Sequence, residues 1–189
     1  GYSLKVRADR TDTTDGRGGG ILIYVRNHVV AFEEHSPLLN KFNQGVCVKI
    51  ILKNRNIKLF VIYRSPNSSL ENDTALEGVL SLSDRDSIFV GDFNYPDVDW
   101  NNMVGGSGKS NRFVDVIMDR FLHQMVDFPT RKQHVLDLLL VGDRDIAKDV
   151  RCAGKVGTSD HDAFEFVIHH GLLGPPPTAE QVPDFSKAD

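Results

Sequence analysis

Ser87-Ile88-Phe89-Val90-Gly91-Asp92-Phe93-Asn94 is an apolar run that stops on polar residues. Ser87 to Val90 suits a strand that ends at Gly91-Asp92. Asp92 and Asn94 then stand at a sheet edge, on the same side of an extended chain by its two-residue alternation. A turn-forming Asp/Asn pair has the same composition. The pair therefore takes its meaning from what else reaches that edge.

Outward from this stretch, most periodic segments are short and β-like. Gly19 to Arg26 carries Ile21-Leu22-Ile23-Tyr24-Val25, and Val29 to Phe32 continues it after a turn at Asn27-His28. Val46, Val48 and Ile50 alternate with Cys47, Lys49 and Ile51, and Ile57, Leu59 and Val61 repeat the pattern beyond the turn Lys53-Asn54-Arg55-Asn56. Val135 to Val141 is apolar except for Asp137, and Phe164 to Ile168 closes the series. Two segments have helical spacing. Leu70 to Leu82 follows Ser69 as N-cap, and in Asn111 to Gln124 the residues Phe113, Ile117 and Phe121 share a stripe. Strands outnumber helices and helices sit between strands, which predicts an α+β or layered α/β/α domain with its sheets inside.

Composition bounds the function. At 189 residues the chain is about one domain. Hydrophobic residues at 40% and charged residues at 25% exclude wholesale disorder. No apolar run approaches the roughly 18 residues of a membrane helix. Cys47 and Cys152 could make one disulfide but are too few for a secreted framework, and no targeting signal is visible, so the expected location is intracellular. The net charge of −4 is unevenly spread. His35 to Leu70 has no acid and holds Lys41, Lys49, Lys53, Arg55, Lys58 and Arg64. The other 16 basic residues face 26 acids, leaving −10 elsewhere. Such separation suits either a solvated strand face or a protein that binds a cation and a polyanion.

Several motifs fail. Gly105-Gly106-Ser107-Gly108-Lys109-Ser110 lacks the first glycine of a P-loop and reads as a flexible loop. Gly18-Gly19-Gly20 precedes a strand where a dinucleotide fingerprint would follow one. Asp9 to Gly16 lacks the spacing of a calcium loop. Two further features hold. Asp137 is a carboxylate in an apolar strand, costly unless paired; orienting a histidine is one solution, and facing solvent at the strand end is the other. Thr158-Ser159-Asp160-His161-Asp162 precedes the last strand and sends adjacent Asp and His side chains to opposite faces of an extended chain.

In this order, a strand-end Gly-Asp-x-Asn, a buried Asp and a Ser-Asp-His form a specific signature. The sequence resembles the endonuclease/exonuclease/phosphatase superfamily, and most of all the apurinic-type endonuclease domain of LINE-type non-LTR retrotransposons. Gly18 to Arg26 is similar to that family's glycine-rich strand entry, Val61-Ile62-Tyr63-Arg64-Ser65-Pro66 to its Tyr-Arg-x-Pro strand end, and Val126-Asp127-Phe128-Pro129-Thr130-Arg131 to its Pro-Thr-Arg segment. Asp184 to Asp189 resembles the stretch leading toward a reverse transcriptase. The resemblance implies a four-layer sandwich, two packed and mainly antiparallel sheets flanked by helices, over residues 1–170. A proline-rich linker would follow at 171–189, where four of the eight prolines lie.

By the same resemblance the chain hydrolyses phosphodiesters with Mg²⁺, Mn²⁺ being the alternative ion, and nicks DNA in the nucleus to prime reverse transcription. His161 is then the base, Asp137 holds its tautomer, and Asp160 takes the metal. Asp92, Asn94 and Tyr63 contact water, leaving oxygen or phosphate. Thr130, Arg131 and Arg64 are substrate-side contacts, Arg64 with a structural role as its alternative. Lys49, Lys53, Arg55 and Lys58 are candidate contacts to a DNA backbone. His28, His35, His123, His134, His169 and His170 match no family position. The family also places two strands ahead of the glycine-rich one, the second ending in a metal-binding Glu. Glu33 and Glu34 lie beyond that strand and do not replace it. A chain opening at Gly1 thus reads as N-terminally truncated, with a non-catalytic remnant of the same fold or a phosphomonoesterase as the alternative functions.

Overall fold

The structure is a computed structural model and describes residues 1–9, 20–42 and 44–169. The proline-rich segment 171–189, Gly18, Gly19 and His170 lie outside the described residues. In chain order the elements are β1 (Tyr2–Asp9), β2 (Gly20–Arg26), β3 (Val30–Glu33), β4 (Gly45–Ile51), β5 (Asn56–Tyr63), α1 (Leu70–Leu80), β6 (Ser87–Asp92), β7 (Val98–Asp99), β8 (Val104–Gly105), α2 (Gly108–Asp119), β9 (His123–Gln124), β10 (Asp137–Val141), β11 (Ala147–Lys155) and β12 (Asp162–Ile168). A single 3₁₀ turn occupies Leu39–Lys41.

The frame is a six-stranded sheet in the order β3-β4-β5-β6-β10-β9, in which β5 and β6 are parallel and the other neighbours antiparallel. Both of its faces are covered, and the two-residue alternation of its strands sorts the side chains between them. Cys47, Phe60, Ile62, Phe89, Leu138 and Leu140 face one way and pack against Leu76, Val79 and Leu80 of α1 and Phe113 and Ile117 of α2. Ile57, Ile88, Leu139 and Val141 face the other way, toward Val150, Phe164, Phe166 and Ile168 of the hairpin β11–β12. Val46 and Val48 lie on that same side beneath Val6, Ile21 and Ile23 of the hairpin β1–β2. Helices thus cover one face and two antiparallel hairpins the other. Phe60 and Phe89 stack across the one parallel pair with ring centroids 4.4 Å apart.

The helices follow from local signals. Ser69 caps α1, its hydroxyl accepting from the Asn72 amide. The glycine-rich stretch is not the flexible loop the sequence predicts. Val104–Gly105 forms a strand, and Ser107 caps α2 in a reciprocal box with Ser110, so the helix starts at Gly108. It also stops at Asp119. Phe121, with a φ of 53°, is 80% exposed and leaves the apolar stripe. Cys47 is buried, Cys152 exposed, and both are free thiols.

Besides the two-residue strands β7, β8 and β9, the long strands β1 and β11 are absent from the sequence reading. Each carries a register shift, between Leu4 and Val6 in β1 and at two places in β11. A bulge breaks the period on which strand recognition depends.

The sheet's functional end depends on Gly91. Its φ is 141°, and a Cβ there would lie 1.9 Å from the Ile62 carbonyl oxygen. Only glycine lets β6 approach β5 so closely. Gly91→Ala is expected to cost roughly 2–4 kcal/mol in urea unfolding; a loss under about 1 kcal/mol would show that the strand pair relaxes around the methyl group.

Candidate active site

Three strand ends meet at one edge of the sheet. Asp92 ends β6, and its Cα partners are Tyr63, the last residue of β5, and Asp137, the first of β10. His161 arrives from the loop before β12 and closes the group. One ligand-capable atom each from Asp92, Asp137 and His161 lies within 4.8 Å of the others, and this is the one such cluster of three among the described residues. Its two carboxylates come from central strands, so the frame that buries the core also sets their spacing.

The His161 Nδ1 stands 2.7 Å from the Asp137 Oδ2. A carboxylate only accepts, so Nδ1 carries the proton and Nε2 is left as the acceptor. The side chains are 23% and 19% exposed, which leaves the pair wet on one side only. Asp92 has less support. Burial pushes its carboxyl up to about 6, and the neighbouring Asp137 charge pushes in the same direction. Against this, the backbone amide and side-chain amide of Asn94 donate to its two oxygens, at 3.1 and 2.7 Å. Asn94 adopts a φ of 51°, which asparagine tolerates better than most residues. Its amide nitrogen also donates to the Arg64 carbonyl at 3.0 Å, so both its N–H groups are spent on protein. Asn94 acts here as a clamp on Asp92.

Arg64 is buried among protein groups. It is 2% exposed. Its guanidinium forms a two-pronged pair with Asp73, at 2.7 and 3.1 Å, donates to the Asn94 carbonyl at 3.0 Å, and lies 3.9 Å over the Tyr95 ring. Burial alone would raise the Asp73 carboxyl, but Arg64 hydrogen bonding prevails and holds it below its ordinary value. Arg64 thus fastens the loop that follows Asp92 to α1.

Thr130 also faces protein. It is fully buried, and its Oγ1 accepts from the backbone amides of Leu136 and Asp137, both at 3.0 Å. Asp160 lies outside the three-residue cluster. Arg131 binds its Oδ2 through Nε at 2.8 Å and through a second nitrogen at 2.6 Å. That hydrogen bond holds the Asp160 carboxyl below its ordinary value.

The basic stretch lies at the other end of the sheet. Lys58 pairs with Ser87 at the start of β6, five residues or roughly 16 Å from Tyr63. Its amine binds Asp84 at 2.7 Å, Arg55 binds Asp86, and Lys49 stands 4.0 Å from Glu34. Lys58, Arg55 and Lys49 are therefore neutralised locally and remote from the site. Glu33 and Glu34 stay at the β3 edge, outside the cluster. Of the remaining histidines, His134 takes part in the site's frame, its Nδ1 lying 3.0 Å from the Pro96 carbonyl just past Asn94.

A family model for endonuclease–reverse transcriptase proteins matches residues 57–165, more than half of the chain, and the chain belongs to that family. No curated protein sequence matches. Among solved structures, the endonuclease domain of TRAS1, a telomere-specific non-LTR retrotransposon, matches with a TM-score of 0.67 at 21% identity, over 88% of this chain and 78% of its own. An endonuclease/exonuclease/phosphatase family protein from Leptotrichia buccalis C-1013-b gives 0.60 at 16% identity, covering 89% and 72%. The 3′-phosphatase NExo from Neisseria, bound to a product DNA hairpin, gives 0.54 at 15% identity, covering 89% and 80%. These likenesses establish the endonuclease/exonuclease/phosphatase fold. No helix among the described residues is long and apolar enough to cross a membrane.

The raised Asp92 carboxyl has a consequence for stability in metal-free buffer. Between 3.8 and about 6 the folded chain keeps a proton that the unfolded chain has released, so Asp92 lowers stability as the pH rises through that window. Asp92→Asn, measured by urea unfolding in EDTA, is expected to match wild type near pH 4 and to exceed it at pH 7 by roughly 1–2 kcal/mol. A variant less stable than wild type at pH 7 would mean that the Asn94 hydrogen bonds outweigh the burial.

Proposed function

We propose that this member of the endonuclease–reverse transcriptase family is a divalent-metal-dependent phosphodiesterase that nicks DNA, the endonuclease of a non-LTR retrotransposon whose nick primes reverse transcription in the nucleus. The carrying observation is the convergence of Asp92, Asp137 and His161 within 4.8 Å at one sheet edge. The family's name, which joins an endonuclease to a reverse transcriptase, supports DNA as substrate and a reverse transcriptase as the covalent neighbour beyond a linker at 171–189.

The donor set fits a hard cation. Asp92 and Asp137 offer carboxylate oxygens, the ligands Mg²⁺ or Mn²⁺ prefers. Burial first and then the Asp137 charge raise the Asp92 carboxyl, a cost that a bound cation would lower. Asp92 and Asp137 would hold the ion, which when bound supplies charge neutralisation at the scissile phosphate. Asp160, tied to Arg131, contributes to the loop that carries His161.

His161 does the proton work. With Nδ1 donated to Asp137, its Nε2 lone pair can take a proton from water attacking phosphorus, and can return it to the leaving oxygen. Asp137 keeps the ring in that tautomer and stabilises its charge once protonated, the logic of any oriented histidine base. Tyr63, in register with Asp92 and half-buried, would contact the phosphate beside the ion. Arg64, Asp73, Asn94 and Tyr95 hold the Asp92 loop in place before substrate arrives.

The test is relaxation of supercoiled plasmid. With Mg²⁺ the purified chain is expected to convert it to open circles. EDTA should abolish the reaction, and His161→Ala should slow it by roughly 10²–10⁴-fold. A folded chain that leaves the plasmid supercoiled with either Mg²⁺ or Mn²⁺ would overturn the assignment. Cleavage of a 3′-terminal phosphate from an oligonucleotide by that same chain would move it to monoester hydrolysis.

A further inference from the structure

His161 sits in a segment with little reason to stay in place. Residues 156–161 join β11 to β12, carry Gly157 at a φ of 62°, and contribute nothing to the buried core. Within the segment the bonds are local: the Ser159 amide reaches the Val156 carbonyl at 3.3 Å, and the His161 amide reaches the Ser159 hydroxyl at 3.1 Å. A nucleic-acid substrate offers such a loop many alternative partners. The Asp137–His161 bond alone would have to resist them.

Two consecutive residues anchor the segment on either side of His161. The Asp162 amide donates to the Thr130 carbonyl at 2.7 Å, and Asp160 is bound by the Arg131 guanidinium at 2.8 and 2.6 Å. The same Thr130 holds the other half of the pair, through Oγ1 and the amides of Leu136 and Asp137. The turn that follows is closed by reciprocal bonds between Arg131 and His134, at 3.1 and 2.9 Å. It is tied through His134 to the Pro96 carbonyl, past the Asp92–Asn94 loop. Strand β10, the His161 segment and the Asp92 loop are thus all referenced to one short turn.

We infer that Thr130 and Arg131 are positioning residues, which hold His161 in line with Asp137 from the side away from substrate. This rests on the reading that His161 is the base. Thr130 carries the larger share, because its bonds are buried. The Arg131–Asp160 pair is 37% and 64% exposed and is the weaker anchor. Threonine suits the place: a valine would fill the same volume but leave the Leu136 and Asp137 amides without an acceptor.

The test uses the full chain with Thr130→Val, Thr130→Ser, Arg131→Gln and two readouts. In ¹⁵N-histidine NMR without substrate, wild type should show the far-downfield proton of a hydrogen-bonded His161 Nδ1–H. That proton should vanish or broaden in Thr130→Val, weaken in Arg131→Gln, and persist in Thr130→Ser. In plasmid nicking, Thr130→Val should lower kcat roughly 10–100-fold with KM within about threefold, and Thr130→Ser should stay near wild type. A raised KM with unchanged kcat and an unchanged His161 signal would return these residues to substrate contact. Unchanged signal and kinetics would make them packing residues and overturn the inference too. Should Thr130→Val fail to fold, Arg131→Gln carries both readouts. Should wild type itself not nick, the functional reading falls, while the His161 signal still decides whether this turn positions the pair.

Discussion

Asp92 and Asp137 face each other in register at the end of two hydrogen-bonded strands, both partly buried. Burial raises the cost of ionising Asp92, and the Asp137 charge adds to it. Much of the site's local structure is arranged around that cost. Asn94 gives one side-chain N–H to the Asp92 carboxylate and the other to the Arg64 carbonyl, Arg64 anchors Asn94, and Asp73 and Tyr95 anchor Arg64. On the other side, Asp137 has its charge met by His161. A fold selected only for stability would place apolar residues here, as it does two residues further along each strand at Val90 and Leu139.

The position of the site follows from the topology. Strands β5 and β6 are the one parallel pair, so both end at the same edge, and β10 runs antiparallel and begins there. Three residues that close or open strands therefore lie abreast without any strand being distorted, apart from the close approach at Gly91. The hairpin β11–β12, packed over the same face, then needs only a turn at its open end to bring His161 down on Asp137. The stable parts supply the carboxylates, and a loop supplies the histidine.

Much of this was legible in the sequence, for identifiable reasons. The apolar runs of β2, β4, β5, β6, β10 and β12 keep a clean two-residue alternation or a continuous core, and the strand ends at Asp92 and Asp137 stand out because a carboxylate breaks each run. What failed was local context. β1 and β11 carry bulges that hide their period. The serine box that starts α2 looked like a loop because its glycines masked the Ser107–Ser110 capping pair. Charge was the poorest guide. Lys49, Arg55 and Lys58 form a basic run in sequence, yet each meets an acid from a distant segment, and they line the wrong end of the sheet.

Thr130 and Arg64 show why residue roles are harder to read than residue identities. A motif match says that a threonine or an arginine is wanted at a place; it does not say which way the side chain faces. Hydroxyl and guanidinium groups suit phosphate and suit orphaned backbone groups equally well, since both ligands ask for directional hydrogen bonds. Burial separates the two uses. At 0% and 2% exposure these side chains have exchanged water for protein partners, which include the backbone beside the two carboxylates and, for Arg64, the Asp73 carboxylate of α1. The geometry of the sheet edge therefore depends on polar groups buried behind it. Their loss should weaken turnover more than it weakens binding, because what they supply is geometry.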